Sequence, residues 1–406
     1  MRRPTGCRLG ALARYLPVVD PATARRSLEV VCCSLEPWDD VWRRNQFLAA
    51  GLLGLDSDCR LLFVEPATDI PWALLHRRPM RAARLRPVGL SGRMWAVTPR
   101  KWAPRRVAPG VDRRLGEQVR HVAATMGFRH PVLWVNDSSY ALLARATRWP
   151  TVYDVTDDWL LAGLGPREMR RQQNNDALLL DVATEVVVCS PALQVSRGAS
   201  RPVRLIPNAV DVDHFRRPLP RPADLPDCKT VVYAGTLSGG RLDLDLCVEL
   251  ATRLPRDCKA VFVGPNACSP AETRRLAGAG IVLLGARPYE TLPGYLQHAE
   301  VLIVPHVVSP FTESLDPIKA REVLAVGRAA VTTAVAGMRD LGPPVVVATR
   351  EAFTDAVLQA LARPRPLPGP GPLTGHACSW TDAAGAFLEV VRSVAARDLR
   401  SLPSRP

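Results

Sequence analysis

Lys319 and Glu322 lie three residues apart in the segment SPFTESLDPIKAREVLAVGRAAVTTAV (309–335). That spacing puts both on a similar face of a helix. Asp316 is placed to cap this helix, Pro317 suits its first turn, and Gly327 ends it. The first turn of a helix has N–H groups without partners and a positive potential, a combination that binds diphosphates. Lys319 would add a point charge there, and Glu322, one turn further on, could accept hydrogen bonds from ribose hydroxyls. The same spacing also describes a surface helix with a Lys–Glu ion pair, and spacing alone leaves both readings open.

A second segment, YAGTLSGGRLDLD (233–245), runs from a strand through a glycine-rich turn into a helix. Gly235, Gly239 and Gly240 would let backbone approach a phosphate or sugar closely, and Arg241 would supply a cation. Strand-to-helix turns often contain glycine for architectural reasons, so this turn gains meaning from the first segment. A third, TDD (156–158), offers Asp157 as a general base for an acceptor hydroxyl. It can equally be a helix N-cap with a solvated acid. The ten cysteines form no CxxC pair, and Cys32, Cys33, Cys189 and Cys247 lie in apolar runs, which reads as free buried thiols. The histidines show no metal-ligand spacing.

These residues need a scaffold, and the chain has the length for one. Its 406 residues, 47% hydrophobic and 23% charged, suit two globular domains. No apolar run reaches the roughly 18 residues of a membrane span. Residues 1–26 read as a flexible leader, basic but without the apolar block of a secretory signal. Short apolar runs then alternate with helical patterns. Strands are expected at 27–34, 59–66, 93–99, 131–137, 151–157, 184–190 and 202–208. The helices among them fall at 41–55, 113–127 and 166–182, with a short one after 190. This is the order of a parallel sheet. The Pro-rich RRPLPRPADLPD (216–227) marks a linker, placed at 213–229. Strands follow at 230–236, 259–265, 281–286, 301–306, 329–334 and 344–348, with helices near 242–254, 270–277, 289–298 and 317–326. The reading is therefore α/β, with domains at 27–212 and 230–362. A Pro-rich connector at 363–375 leads to a C-terminal helix and tail at 376–406. Ligands of such sheets bind at the carboxyl ends of the strands.

The succession RLIPNAVDVDHF (204–215), VVYAGTLSGGRLDL (231–244), VFVGP (261–265), LLGARPYETLPGYLQHAEVLIVPH (283–306) and DPIKAREVLAVGRAAVTT (316–333) resembles retaining glycosyltransferases of the GT-B fold and the family-4 type. In the first half, WDDVWRRNQFLAAGL (38–52), RLLFVEP (60–66) and YDVTDDW (153–159) are similar to the branch of bacterial cell-surface polysaccharide and teichuronic-acid transferases. The resemblance implies two Rossmann-like domains facing across a cleft, and a nucleotide-diphosphate sugar as donor substrate. Arg241 and Lys319 would hold the diphosphate and Glu322 the ribose. Thr236, Ser238 and Gly264 would complete the donor turn. Pro288 and Tyr289 would lie near the base, and Ser314 and Leu315 would face the donor sugar through backbone groups. Where many relatives have a glutamate eight positions before Glu322, this chain has Ser314.

The first domain should then hold a hydroxyl acceptor through polar residues at strand ends: Trp38, Asp39, Arg44, Asn136, Asp137, Asp157 and Asp158, with Arg43 beside them. With retention, the leaving phosphate takes the acceptor's proton and Arg241 and Lys319 stabilise the developing charge. With inversion, Asp157 is the base. The cations take the place of a metal, and no cofactor is expected. The net charge of +14 is uneven, since 13 basic residues between Trp72 and Arg120 face only Asp112 and Glu117. Such a patch, at 77–120, suits an anionic membrane surface, or it reflects Arg-rich coding. The expectation is a cytoplasmic enzyme of cell-surface glycan or glycolipid assembly, peripheral on the inner membrane face, with a lipid-linked acceptor. A soluble natural-product acceptor is the alternative within the class. A nucleotide-sugar 2-epimerase of the same fold would need paired acid and base groups around the sugar, and a non-catalytic scaffold would not need Lys319, Arg241 and Glu322. Nucleic acid is not expected as a partner, because basic and aromatic residues do not interleave.

Overall fold

Short β-branched runs became parallel strands wherever a helix could cover both faces. The computed structural model describes residues 27–75, 85–89, 91–105, 107–108, 110–363 and 379–401. The expected leader, nearly all of the expected connector, and Arg77, Arg78, Arg81 and Arg84 of the basic patch lie outside those residues.

The strands of the first half are β1 (Glu29–Cys33), β2 (Arg60–Val64), β3 (Thr68–Asp69), β4 (Arg86–Pro87), β5 (Met94–Val97), β6 (Arg100–Lys101), β7 (Val132–Val135), β8 (Thr151–Val155), β9 (Glu185–Val188) and β10 (Arg204–Leu205). Eight of them form one sheet in the order β10-β9-β8-β7-β1-β2-β5-β4, parallel except where β4 meets β5. β3 and β6 pair separately. The second half provides β11 (Lys229–Ala234), β12 (Cys258–Val263), β13 (Val282–Gly285), β14 (Val301–Val304), β15 (Ala330–Thr333) and β16 (Val345–Ala348). They form a parallel sheet in the order β13-β12-β11-β14-β15-β16. Both sheets reverse direction of growth beside a central strand, β1 and β11, and the crevice at such a switch point is where ligands bind.

The C-terminal helix, Trp380–Ser401, leaves the second sheet and packs on the first. Trp380 stacks on Phe47 with ring centroids 4.4 Å apart, and Phe387 lies 4.6 Å from Trp134. The aliphatic face formed by Ala383, Ala384, Val391 and Val394 fills the rest of that core. Helices also form at Ala141–Thr147, Val212–Arg216 and Arg350–Ala362, which were not among the expected elements. The expected linker thus begins with a short helix, capped by Asp211, whose carboxylate accepts from the His214 N–H at 3.0 Å. Among the described residues no helix is long and apolar enough to cross a membrane.

Direct contacts join the two halves. Asp40 O accepts from Tyr289 N at 2.8 Å. Ser190 donates to Ser314 O at 2.6 Å. Asn208 donates from its backbone to the Asp316 carboxylate at 2.7 Å and from its side chain to Asp316 O at 2.6 Å. Arg44 extends this chain, donating to Asn208 at 3.3 Å and pairing with Asp154 at 3.1 Å.

Candidate active site

The second sheet supplies one wall, where backbone comes unusually close. Gly235 and Gly264 sit at the ends of β11 and β12. Gly235 N donates to Val263 O at 2.8 Å, and Gly264 N to Gly285 O at 2.9 Å. A Cβ on Gly264 would lie 2.0 Å from Gly235 O. One on Gly235 would lie 2.0 Å from Lys319 Cε, 2.8 Å from its Nζ and 2.7 Å from Tyr233 Oη. Both positions therefore require glycine, and the requirement at Gly235 comes from the Lys319 side chain lying against its backbone. Gly239 and Gly240 face solvent, and the closest atom to a Cβ on Gly239 is the movable Glu272 carboxylate. Thr236 O accepts from Tyr233 Oη at 3.3 Å, and Ser238 Oγ accepts from Gly240 N at 3.4 Å, so both residues shape the turn.

The helix bearing Lys319 spans Ile318–Val326, and Gly327 ends it in a left-handed conformation, φ 69°. Its N-cap is Pro317, not Asp316. The Asp316 carboxylate is taken by the Asn208 N–H and by Arg321 at 2.7 Å, so the expected cap instead fastens the domains. Among the described residues neither Lys319 nor Glu322 has a hydrogen-bond or ion-pair partner, and the surface ion pair does not form. Burial lowers the Lys319 pKa; Glu322 opposes that shift and Arg241 adds to it. Burial raises Glu322, with Lys319 opposing. A cation and an anion held without partners on one helix face are poised for a ligand carrying both charged and hydroxyl groups.

Arg241 joins this wall through its backbone. Its N–H donates to Ser238 O at 3.0 Å, and its carbonyl accepts from Val307 N at 2.8 Å. Its guanidinium lies 5.7 Å above the Phe311 ring and pairs with Asp157 of the first domain at 2.9 Å. His306, at the end of β14, is buried beside Lys319 and Arg241. Burial and those two cations push its pKa down to about 3, so the ring stays neutral.

The opposite wall is a cavity of about 330 Å³ at the carboxyl ends of β7 and β8. It brings Asn136, Asp137 and Asp157 together with Ser138, Trp159 and Gln172. Trp159 Nε1 is buried there without a hydrogen-bond partner, and its ring lies 5.6 Å from Phe311 across the cleft. Asp157 and Arg241 therefore meet where the cavity opens toward the second domain.

Several expected contact residues have other occupations. Arg44 is buried and spent on Asp154 and Asn208, so its guanidinium is not offered to an acceptor. Asp158 is buried and bound by Arg197 at 2.8 and 3.1 Å, and it caps the turn at Leu160. Asp157 and Asp158 thus face different partners and form no joint carboxylate pair. Asn136 donates to Asp154 O and Thr156 Oγ1 and accepts from Leu35 N and Asn45, which uses up its amide as a strand-end brace. Ser314 is buried, donates to Phe311 O at 2.7 Å, and gives its carbonyl to Ser190, so it ties the domains together. Leu315 is buried behind it. Tyr289 is sandwiched by aromatic side chains, with His214 4.3 Å away and Phe47 5.0 Å away, which fixes it as a hinge contact. Pro288 precedes it as the N-cap of a 3-10 turn. Trp38 packs edge-on against Phe63 at 5.3 Å, and Asp39 accepts from Val41 N, so both shape the loop after β1.

The same loop places a residue that spacing did not single out. Glu36 pairs with Arg43 at 3.3 Å. Burial raises its pKa, Arg43 opposes that, and Asp157 and Arg241 are close enough to act on it. Its signal in the sequence is only position: a carboxylate three residues past a buried strand. His306 and Trp159 likewise sit at the end of an apolar run and just past one, where polar groups enter the cleft.

Residues 228–363 match the family model described as Glycosyl transferases group 1. The putative teichuronic acid biosynthesis glycosyltransferase TuaH of Bacillus subtilis (strain 168) is 24% identical over 234 residues, which is 53% of this chain and 58% of that protein. Sucrose-phosphate synthase from Thermosynechococcus elongatus superposes with a TM-score of 0.63 at 18% identity, covering 93% of this chain and 98% of that one. The alpha,alpha-trehalose 6-phosphate synthase of Burkholderia multivorans gives 0.62 at 15%, covering 92% and 100%. HepE of Anabaena, solved with UDP and glucose, gives 0.56 at 14%, covering 93% and 100%. The architecture these chains share is the GT-B fold.

Proposed function

For a chain that carries a glycosyl transferases group 1 domain on a GT-B fold, we propose transfer of a hexosyl residue from a nucleotide-diphosphate sugar to an acceptor hydroxyl, with retention and without a metal. The observation that carries this reading is the unpartnered Lys319 side chain lying against the Gly235 backbone, with Arg241 beside it and Glu322 one turn behind. Lys319 and Arg241 would hold the diphosphate and Glu322 the ribose. As the bond from the anomeric carbon to the phosphate breaks, charge grows on the leaving oxygen, and preorganised cations stabilise it best in a cleft shielded from water. The acceptor oxygen attacks from the same face, and its proton passes to the leaving phosphate. The Asp157 carboxylate is already engaged by Arg241 at 2.9 Å, which supports this route over inversion with Asp157 as the base.

The likeness to a protein named for teichuronic acid biosynthesis supports a role in cell-surface glycan or glycolipid assembly. Exposed Trp72, Leu74, Leu75 and Trp102, flanking the Arg-rich stretch 77–100 of the sequence, support docking on the inner face of an anionic membrane. A lipid-linked acceptor would then reach the first-domain cavity from the bilayer.

The test is a thermal-shift screen with UDP, GDP, ADP and dTDP. A ligand bound only by the folded state raises apparent stability by mass action. One of the four should raise the melting temperature, and Lys319→Ala should remove that rise. No shift with any of them would defeat the donor-site reading. Vesicle flotation with and without anionic lipid tests the membrane part separately.

A further inference from the structure

We propose that the first-domain cavity selects an acceptor sugar without an anionic group, a hydroxyl-rich neutral or amino-bearing end, and disfavours sugar phosphates and uronates. This rests on the reading of that cavity as the acceptor site.

The chain is strongly basic, at +14, and its cavity is lined by Lys101, Arg105, Arg171 and Arg197. An anionic acceptor would be the simple expectation. Yet each cation already has a carboxylate of its own. Lys101 pairs with Asp69 at 2.5 Å and Arg105 with Asp112 at 2.7 Å. Arg171 pairs with Glu168 at 2.5 Å and Arg197 with Asp158 at 2.8 Å. At the mouth, Arg241 is paired with Asp157.

Two carboxylates on the wall are left over. Asp176 shares Arg197 at 3.3 Å and accepts from Tyr153 Oη at 2.7 Å. Asp137 has no cation within ion-pair distance among the described residues; burial raises its pKa, Arg105 and Arg171 oppose that from further off, and it accepts from the Ser139 N–H at 2.8 Å. The cavity is therefore an acidic recess in a basic protein.

An entering phosphate would meet Asp137 and Asp176 and would have to pull Arg105 or Arg171 away from a partner already in place. A hydroxyl-rich ring meets the opposite situation. Asp137 and the Gln172 carbonyl, which already accepts from Ser138 at 2.6 Å, can accept from sugar hydroxyls. The indole N–H of Trp159, buried and unpartnered, needs an oxygen acceptor, which a hydroxyl supplies without adding charge. Charge opposition of this kind is a common basis of discrimination, since it penalises the wrong ligand more than it rewards the right one.

The experiment uses the full chain saturated with whichever nucleotide diphosphate shifts its melting temperature. Methyl hexosides, their 6-phosphates, the matching uronates and the 2-amino sugars are titrated while tryptophan fluorescence is read. Trp159→Phe identifies the part of the signal that comes from the cavity. At least one neutral or amino sugar should bind about tenfold or more tighter than its phosphate, and Asp137→Asn should narrow that gap by about threefold, by removing an unbalanced charge. Tighter binding of the phosphate, lost on Arg105→Ala or Arg171→Ala, would overturn the proposal and make the cations the recognition element. If no sugar perturbs Trp159 while the nucleotide still binds, it is the assignment of the cavity to the acceptor that fails, and the charge preference falls with it.

Discussion

Gly235→Ala tests the donor site without touching a charged group. The new Cβ would lie 2.0 Å from Lys319 Cε and 2.7 Å from Tyr233 Oη. Tyr233 is buried in the core of the second domain, whereas the Lys319 tail is free of hydrogen bonds. The lysine should therefore give way first, swinging its ammonium off the diphosphate position, while the positive φ of 157° costs some folding stability that urea unfolding reads separately. A hydrogen bond from a charged donor contributes about 1.5–3 kcal/mol. At about 1.4 kcal/mol per factor of ten, nucleotide-diphosphate affinity should fall about 10- to 150-fold. Lys319→Ala should cause a similar loss. Because both changes remove the same ammonium contact, the double variant should lose little more than either one, a coupling that calorimetric titration of the four proteins can measure. Wild-type affinity in Gly235→Ala, or additive losses in the double variant, would refute the placement of Lys319 against this turn as the binding arrangement.

Three further outcomes follow from the same geometry. Asp157→Asn should tighten nucleotide-diphosphate binding about threefold, by freeing Arg241 from a competing carboxylate; weaker binding by calorimetry would mean that Asp157 positions the arginine. Asp154→Ala should cost about 3–5 kcal/mol in urea unfolding, because it strands the buried Arg44, while donor affinity stays unchanged. His306 has a folded-state pKa of about 3 against an ordinary 6.5, so between those values the unfolded chain binds the extra proton and stability falls as pH falls. From pH 7 to 5 this one group should remove about 2 kcal/mol of stability. His306→Gln should flatten that part of the profile, and an unchanged profile would remove the histidine from the account.

The strands were readable because a parallel sheet buries both faces, so β7 and β14 each appear as an unbroken apolar run. The helix Arg350–Ala362 also left a signal, with Thr349 ahead of it and Phe353, Val357 and Leu361 at every fourth position. Val212–Arg216, five residues long, has no period to detect. The destination of the C-terminal helix was not readable at all. Its apolar face says that it packs, and only the fold says that it crosses back to Phe47 and Trp134. Asp316 shows how a local rule loses to a distant partner, since the carboxylate suited to a cap is taken by a backbone N–H 108 residues away.

The two walls of the cleft differed in legibility for one physical reason. The proposed donor wall is built from two contiguous stretches, 233–241 and 314–327, so sequence distance tracks real distance and Lys319 and Gly235 could be singled out as candidates from spacing. The acceptor wall is assembled from the ends of several strands and the turns between them. There a polar residue at a strand end is as often a brace as a contact, and Arg44, Asn136 and Asp158 proved to be braces once Asp154, Asn45 and Arg197 came into view. What distinguishes Asp137 is not its type or position but the lack of a direct ion pair among the described residues, Arg105 and Arg171 acting on it only from further off. That quantity belongs to the assembled cavity, because it depends on which arginine each aspartate reaches. Charge totals along the chain pointed to an anionic partner, whereas pairing inside the fold reverses that sign at the proposed acceptor cavity. The net charge of the chain is therefore no guide to what this cavity would read, which is decided by the ion pairs that line it.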